Sequence, residues 1–356
     1  MLSSGCVAVD IGKRNIKLVY GKINKQKIEI INFDIFKTPE NSVQDGKIVD
    51  LSSIINCLRL SYKRKNINSK NLKLSISGTS IITRDIKIPK VEEKEIESIL
   101  DFEAPQYFPV SLDDYVLDYK IIEETSDDEG NFYRLLLVAV PNNLVNDYMQ
   151  IPKILKMDIK SIDIPANSIY KYMSFGRISK EEKTELGEYA VIDFGANTTS
   201  VCIFSKGTLM FNRILLKGSK ELDETISNTM NVDYELGENL KCKKLVLSED
   251  NNIENVDQEA KQLNEIVKPT IMSQTDDINR FLDFYNSRMY GNRISKIFIC
   301  GGGSKINGMD KFLSSYMNLP VESIKYDDRI INKNKRESDI FEQKFPYLIN
   351  AIGTIL

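Results

Sequence analysis

Cys6-Val7-Ala8-Val9-Asp10-Ile11-Gly12 reads as an apolar strand that ends in a carboxylate and a glycine turn, and about half a chain later Ala190-Val191-Ile192-Asp193-Phe194-Gly195 reads the same way. A return strand follows each turn, Ile16 to Tyr20 ending at Gly21 in the first case and Ser200 to Phe204 ending near Lys206-Gly207 in the second. Each is a β-hairpin pattern with Asp10 and Asp193 in equivalent places. Solenoid repeats recur every ~20–50 residues, so a single repeat at half the chain length indicates two homologous halves. The chain has 356 residues, above the ~250–300 at which single cores stop growing, and a duplicated α/β protein of two lobes accommodates that length.

Between the hairpins the pattern changes. Val91 to Glu103 carries Ile96, Ile99 and Leu100 among many charges, an amphipathic helix that Ala104-Pro105 should stop, because the residue before proline avoids the helical region. Tyr115 to Ile122 and Phe132 to Val140 read as paired strands around the acidic loop Glu123 to Gly130, a solvated hairpin tip. Together they form a small α+β insertion. Farther on, Pro269 should open a helix with Ile278, Phe281, Leu282, Tyr285 and Met289 on one face, running to Asn292. Then come the strand Lys296 to Cys300, the triplet Gly301-Gly302-Gly303 and a helix from about Met309 to Met317. A strand, a glycine loop and a helix in that order deliver backbone amides to a ligand.

Composition narrows the chemistry. Histidine is absent, which removes Ser-His-Asp and Cys-His nucleophile pairs and leaves a zinc site without imidazole ligands. Five cysteines without C-x-x-C spacing suit reduced thiols in a reducing compartment. A formal net charge of -3 supplies no field for a phosphate backbone, so nucleic acid is not an expected partner. No apolar run approaches the ~20 residues that span a bilayer, and the first ten residues lack a signal-peptide pattern. A soluble chain is expected, with membrane contact passing through a partner.

What remains is carboxylates, lysines and a bound metal. Gly12 and Gly195 let the backbone turn without a Cβ in the way, so successive N–H groups can converge on phosphate oxygens. Thr198 and Thr199 add hydroxyl donors, and Lys17 brings a point charge toward a β- or γ-phosphate. Asp10 and Asp193 suit Mg²⁺, which keeps several waters and is shared between protein carboxylates and nucleotide phosphates. A lone D-x-G turn is ordinarily just a hairpin. Two of them at matching places, with a glycine triplet late in the second half, point to a nucleotide.

These segments resemble the actin-like ATPase superfamily: Asp10 to Lys17 its first phosphate motif, Asp193 to Thr199 its second, and Gly301-Gly302-Gly303-Ser304 its adenosine motif. Glu103-Ala104-Pro105-Gln106-Tyr107-Phe108-Pro109, then Tyr115-Val116-Leu117-Asp118-Tyr119, Leu137 to Pro141, Arg280 to Tyr285 and Tyr347 to Gly353, is similar to the PilM family of type IV pilus assembly proteins. The resemblance covers nearly the whole chain. It implies an actin-like (ribonuclease H-like) duplicated bilobal fold with an FtsA-like inserted α+β subdomain. Residues 1–80 and 143–188 would form the first half, 81–142 the insertion, 189–220 and 294–356 the second half, and 221–293 a helical small subdomain.

The resemblance also implies ATP and Mg²⁺ as ligands. Phosphates would be held by Gly12, Lys13, Arg14, Asn15, Lys17, Gly195, Ala196, Asn197, Thr198 and Thr199, and adenosine by Gly301, Gly302, Gly303, Ser304, Asn279 and Arg280. It implies a cytoplasmic adaptor, peripheral to the inner membrane, that holds the N-terminal peptide of a PilN-like protein in a groove near Tyr107 and Phe108. Other platform proteins, the assembly ATPase and self-association belong to the same expectation.

Two departures matter. Lys13-Arg14-Asn15 replaces the small hydroxyl residues common in the family's first loop, leaving open whether the two cations stand in for metal charge or point outward. Ile164-Pro165-Ala166-Asn167 lacks the Glu that many relatives place there; Asp163 is the nearest substitute, although pairing with nearby backbone is the use expected of it. General-base help is worth ~10²–10⁴ in rate, so slow hydrolysis or none is expected. Two rival readings share the fold: an FtsA-like polymer, which usually carries a basic amphipathic helix at its end, and a small-molecule kinase, for which an acceptor site is not evident.

Overall fold

A computed structural model describes residues 5–175, 187–248, 257–288 and 293–356. Met289 and Asn292, expected at the end of the long helix, lie outside the described residues.

The strand Cys6–Ile11 sits inside a six-stranded sheet because Val7, Ala8, Val9 and Ile11 are buried on both faces. It pairs antiparallel with Asn15–Asn24, placing Asp10 opposite Lys17, and parallel with Asn71–Ser75. Lys27–Lys37 and Asp158–Asp163 extend the sheet on either side. Glu188–Phe194 takes the same central place in a five-stranded sheet, antiparallel to Thr199–Ser205 and parallel to Lys296–Cys300, with Asp193 opposite Ser200. Thr208–Leu215 and Val321–Ser323 complete that sheet. The two sheets share one pattern, and the duplication expected from the hairpins is present.

The insertion is a three-stranded sheet in the order Ile82–Pro89, Gly130–Pro141, Tyr115–Asp127, packed against the helix Glu93–Tyr107. Its core is separate from that of either half and gathers Ile86, Ile88, Ile96, Leu100, Leu135 and Leu137. Here the sequence reading needs correcting. The helix runs through Pro105 to Tyr107, because Ala104 is fully buried beside Leu100 and because the carbonyl that loses its donor, that of Asp101, is on an exposed residue. The strands reach Asp127 and restart at Gly130, so the acidic loop contracts to a tight exposed turn.

Pro269 does not open its helix either. It lies on the exposed side of one helix, Gln258–Arg288, whose other side buries Leu263, Val267, Ile271, Ile278, Leu282 and Tyr285. A stripe repeating every three to four residues over about 45 Å outweighs one lost hydrogen bond.

The last segment returns to the first half. Ile330–Asn332 pairs in parallel with Lys27–Lys37, and the helix Ser338–Ile355 packs on the first sheet through Phe341, Phe345, Leu348 and Ile352. Thus 294–356, which the sequence assigns to the second half as a block, divides between the two. That helix crosses Pro165–Ser174 so closely that a Cβ on Gly353 would sit 2.0 Å from the Ser168 carbonyl oxygen. Ser168 and Thr354 hydroxyls meet there at 2.9 Å. This buried crossing joins the halves at the base of the cleft.

Candidate functional site

The two Asp-x-Gly turns close identically. The Gly12 amide donates to the Asn15 carbonyl at 3.1 Å, and the Gly195 amide to the Thr198 carbonyl at 3.0 Å. The amides of Lys13, Arg14, Ala196 and Asn197 donate to no acceptor among the described residues. Both turns open into one cavity of about 680 Å³, with Asp10 and Asp193 in its wall. That volume falls in the ~300–1,000 Å³ range of small-molecule sites.

Asp10 is buried, and the Lys17 ammonium donates to its Oδ2 at 3.0 Å. Asp193 touches solvent through the cleft and is otherwise enclosed by protein. Burial raises its pKa, the Lys17 charge and the Asn350 hydrogen bond at 2.8 Å work against that rise, and Asp10 adds to it. Two carboxylates of one cavity therefore feel each other and share one lysine. Among the described residues no third His, Cys, Asp or Glu gathers with them as a metal cluster. A dry, all-protein cage is not what Mg²⁺ requires, since it retains waters and takes the rest of its ligands from phosphates. The donor set fits that ion.

Gly301 forms the wall above Asp193 with φ 82°, and a Cβ there would lie 2.1 Å from Asp193 Oδ1 and 2.6 Å from the Phe194 carbonyl. Glycine is required at this close approach. Gly302 lines the cavity against the Tyr347 ring, while Gly303 packs behind it on Phe194. Behind the second Asp-x-Gly turn Gly218 is equally tight, 2.3 Å from a hypothetical Cβ to the Ala196 carbonyl. The Gln274 amide holds that loop, donating to the Gly218 carbonyl at 3.1 Å and to Glu221 at 2.8 Å.

The cavity thus assembles Asp10, Gly12, Lys13, Arg14, Asn15, Lys17, Asp193, Gly195, Ala196, Asn197, Thr198, Gly301 and Gly302 from the sequence-based set. Other members sit elsewhere. The Thr199 hydroxyl is buried and donates to the Lys217 carbonyl at 2.8 Å, and the Ser304 hydroxyl donates to the Gly301 carbonyl at 2.8 Å, so both shape backbone. Asn279 and Arg280 lie on the long helix outside the cavity wall, with the Arg280 guanidinium exposed and paired with Asp277. Phe108 is buried in the insertion's core beneath Arg84, and Tyr107 is half-buried at the end of its helix. Both cations of the first turn are engaged by protein: Lys13, although exposed, donates to the Val43 carbonyl at 2.6 Å, and Arg14 to Glu238 at 2.8 Å.

Asp163 is fully engaged. It accepts from the Ile164 amide and the Asn167 side chain, both at 2.8 Å, and from Lys171 at 2.8 Å. It fastens the helix Pro165–Ser174 and does not enter the cavity wall, where Ile164, Pro165 and Ala166 stand.

Sequence reading missed the helix Tyr234–Lys243, whose Glu238, Lys241 and Cys242 form the far wall. Lys241 makes a buried ion pair with Asp223 at 2.6 Å and donates to the Ser219 carbonyl at 3.1 Å. Tyr234 donates to the same Asp223 at 3.1 Å, and burial together with that carboxylate pushes its pKa up. The available signal was Gly237, on which a Cβ would meet the Ser227 hydroxyl at 2.2 Å, marking tight packing against the helix Lys220–Met230.

Two duplicated sheets around a shared cleft, each presenting an Asp-x-Gly turn, define a protein of the actin-like ATPase fold. A match to the family "Type IV pilus assembly protein PilM" spans residues 8–356, and the chain belongs to that family. Superposition on a PilM-PilN type IV pilus biogenesis complex gives a TM-score of 0.82 at 18% identity, covering 98% of this chain and 97% of that one. MreB 5 of Spiroplasma citri bound to AMPPNP gives 0.53 at 13% identity, covering 98% of this chain and 94% of that one. In sequence, cell division protein FtsA of Bacillus subtilis is 24% identical over 254 residues, 66% of this chain and 57% of that protein. The chain spans about half the length of the curated relatives it matches. No described helix is long and apolar enough to cross a membrane.

Proposed function

We propose that the chain is an ATP-holding adaptor of a type IV pilus assembly platform, working in the cytoplasm beside the inner membrane. The observation that carries the reading is the pair of equivalent turns, with unpartnered amides, opening on one cavity walled by Asp10 and Asp193. In this reading the amides of Lys13, Arg14, Ala196 and Asn197 receive phosphate oxygens, and Lys17 neutralises the developing excess of negative charge. Asp10 and Asp193 would hold Mg²⁺, directly or through its waters. The ion, when bound, would screen the phosphates and fix their orientation.

Hydrolysis is slow in this account, because Asp163 is committed to Ile164, Asn167 and Lys171 and is absent from the cavity wall. The nucleotide then acts as a latchable ligand between the halves. The partner is the N-terminal peptide of a PilN-like membrane protein, consistent with the complex named for the structural relative. Residues 81–142 are proposed as the partner-facing insertion, 1–80 with 143–188 and the returning segment 330–356 as the first half, 189–220 with 294–323 as the second, and 221–293 as the small subdomain. Contacts with other platform proteins and self-association follow from the same reading.

The test is a calorimetric titration with ATP, with and without Mg²⁺, on wild type and Asp193→Ala. Tight Mg²⁺-dependent binding that Asp193→Ala loses while its circular dichroism is unchanged supports the cleft. Unchanged affinity in that variant sinks it.

A further inference from the structure

Arg14 stands in the first phosphate turn, yet its guanidinium spans the cavity to the other half. Nε donates to Glu238 Oε1 at 2.8 Å, and a second guanidinium nitrogen meets Oε2. The Tyr234 ring lies 5.9 Å from the guanidinium carbon, on the same helix as Glu238. Both ends are anchored. The turn is closed by the Gly12–Asn15 hydrogen bond, and the Arg14 carbonyl accepts from the Thr38 amide at 3.0 Å. The helix is pinned through Lys241, Tyr234 and Asp223. A forked charge-assisted pair between two fixed supports resists their separation.

Its depth places it in the cleft. The Arg14 and Glu238 side chains are 31% and 23% exposed, whereas Asp10 is 7% exposed. The pair therefore lies toward the solvent end, above the carboxylate floor, while the Ser168–Thr354 crossing closes the opposite end. Opening the halves about that crossing must break the Arg14–Glu238 bond.

We propose that Arg14–Glu238 is a cross-cleft latch that gates nucleotide entry and release. The proposal rests on reading the cavity as a nucleotide site. A bond that breaks on opening and reforms over the bound ligand raises the barrier in both directions and leaves the equilibrium nearly unchanged. Because both partners are partly solvated, the effect on each rate is about tenfold, equivalent to about 1.4 kcal/mol, and not that of a fully buried pair.

Stopped-flow mixing of a fluorescent ADP with the full chain, wild type against Glu238→Gln, measures both rate constants. The expected result is a rise of about tenfold in association and in dissociation, with their ratio within about twofold and the difference shrinking at high salt. An unchanged dissociation rate overturns the latch. A change in one rate alone also overturns it, because it assigns Glu238 to the bound ligand itself. Small-angle scattering of the ligand-free proteins supplies an independent arm: Glu238→Gln must have the larger radius of gyration, and the charge-swapped Arg14→Glu/Glu238→Arg must return toward wild type. If wild type binds no nucleotide, the cleft reading fails, and equal radii in this arm then overturn the latch as a closing device.

Discussion

Replacing Gly301 by alanine puts a methyl group where the structure leaves no room and twists the backbone into a region that L-residues avoid. The new Cβ would lie 2.1 Å from Asp193 Oδ1, 2.6 Å from the Phe194 carbonyl oxygen and 2.9 Å from its carbon. Two costs add. The left-handed conformation at φ 82° costs about 1–2 kcal/mol, and forcing apart a packed neighbour about 1–3 kcal/mol. The sum, about 2–5 kcal/mol, is a large share of the ~5–15 kcal/mol that holds a typical domain folded. Gly187 separates the two costs: it has φ 59°, but a Cβ there meets nothing nearer than Ser295 Oγ at 3.9 Å. Urea denaturation should therefore show Gly187→Ala losing about 1–2 kcal/mol and Gly301→Ala losing more, at the same slope against denaturant. Gly301→Ala should also displace the Asp193 carboxylate and weaken Mg²⁺-ATP, with Gly187→Ala binding as wild type does. Equal losses in the two variants, with equal ATP affinities, would refute the close approach of Gly301 to Asp193.

Asp193→Asn should stabilise the ligand-free protein at neutral pH while weakening Mg²⁺-ATP. Burial raises the folded-state pKa, so the native state holds the proton more tightly; wild-type stability falls as pH rises from 3.8 through the raised value, and the variant lacks that fall. Thermal melts of both proteins from pH 3.5 upward check the sign, and a wild type that gains on the variant as pH rises contradicts it. Lys241→Met leaves the Asp223 carboxylate buried without its cation and should cost about 3–5 kcal/mol, read by urea denaturation; a loss below about 1 kcal/mol would mean that Asp223 does not depend on that ammonium. Glu40 is an exposed carboxylate that lines the cavity and has no side-chain partner among the described residues, which makes it the group to test for any residual hydrolysis. Glu40→Gln should lower phosphate release at saturating ATP by ~10²-fold or to background, with ATP affinity retained, and an unchanged rate removes Glu40 from the chemistry.

The sequence made some parts of this architecture visible and hid others for physical reasons. The two hairpins were legible because a strand buried on both faces must be apolar throughout, and Val7-Ala8-Val9 and Ala190-Val191-Ile192 are. Strand Lys296–Cys300 and helix Met309–Met317 fell where their flanking glycines placed them. Prolines misled. By local propensity Pro105 and Pro269 mark helix boundaries, whereas burial of Ala104 in one helix and of a long apolar stripe in the other carries each helix past its proline. The Asp-x-Gly side of the cleft was legible since each short turn places several consecutive residues in the cavity wall. The far wall was not, because Glu238 and Lys241 are ordinary charged residues on an amphipathic helix until the fold sets them against Arg14 and Asp223. Thr199 and Ser304 show the converse: hydroxyls next to a phosphate motif, spent on the Lys217 and Gly301 carbonyls.

On the proposed function, the nucleotide sets the shape that a membrane partner recognises. Fluorescence anisotropy with a labelled N-terminal peptide of a PilN-like protein, titrated with the Mg²⁺-ATP-loaded and the nucleotide-free chain, measures it directly. The account predicts saturable binding that is at least tenfold tighter to the loaded protein, a coupling of about 1.4 kcal/mol or more, and an equal tightening of ATP by the peptide. Identical peptide affinity in the two states would contradict the coupling, and no binding in either would contradict the adaptor itself.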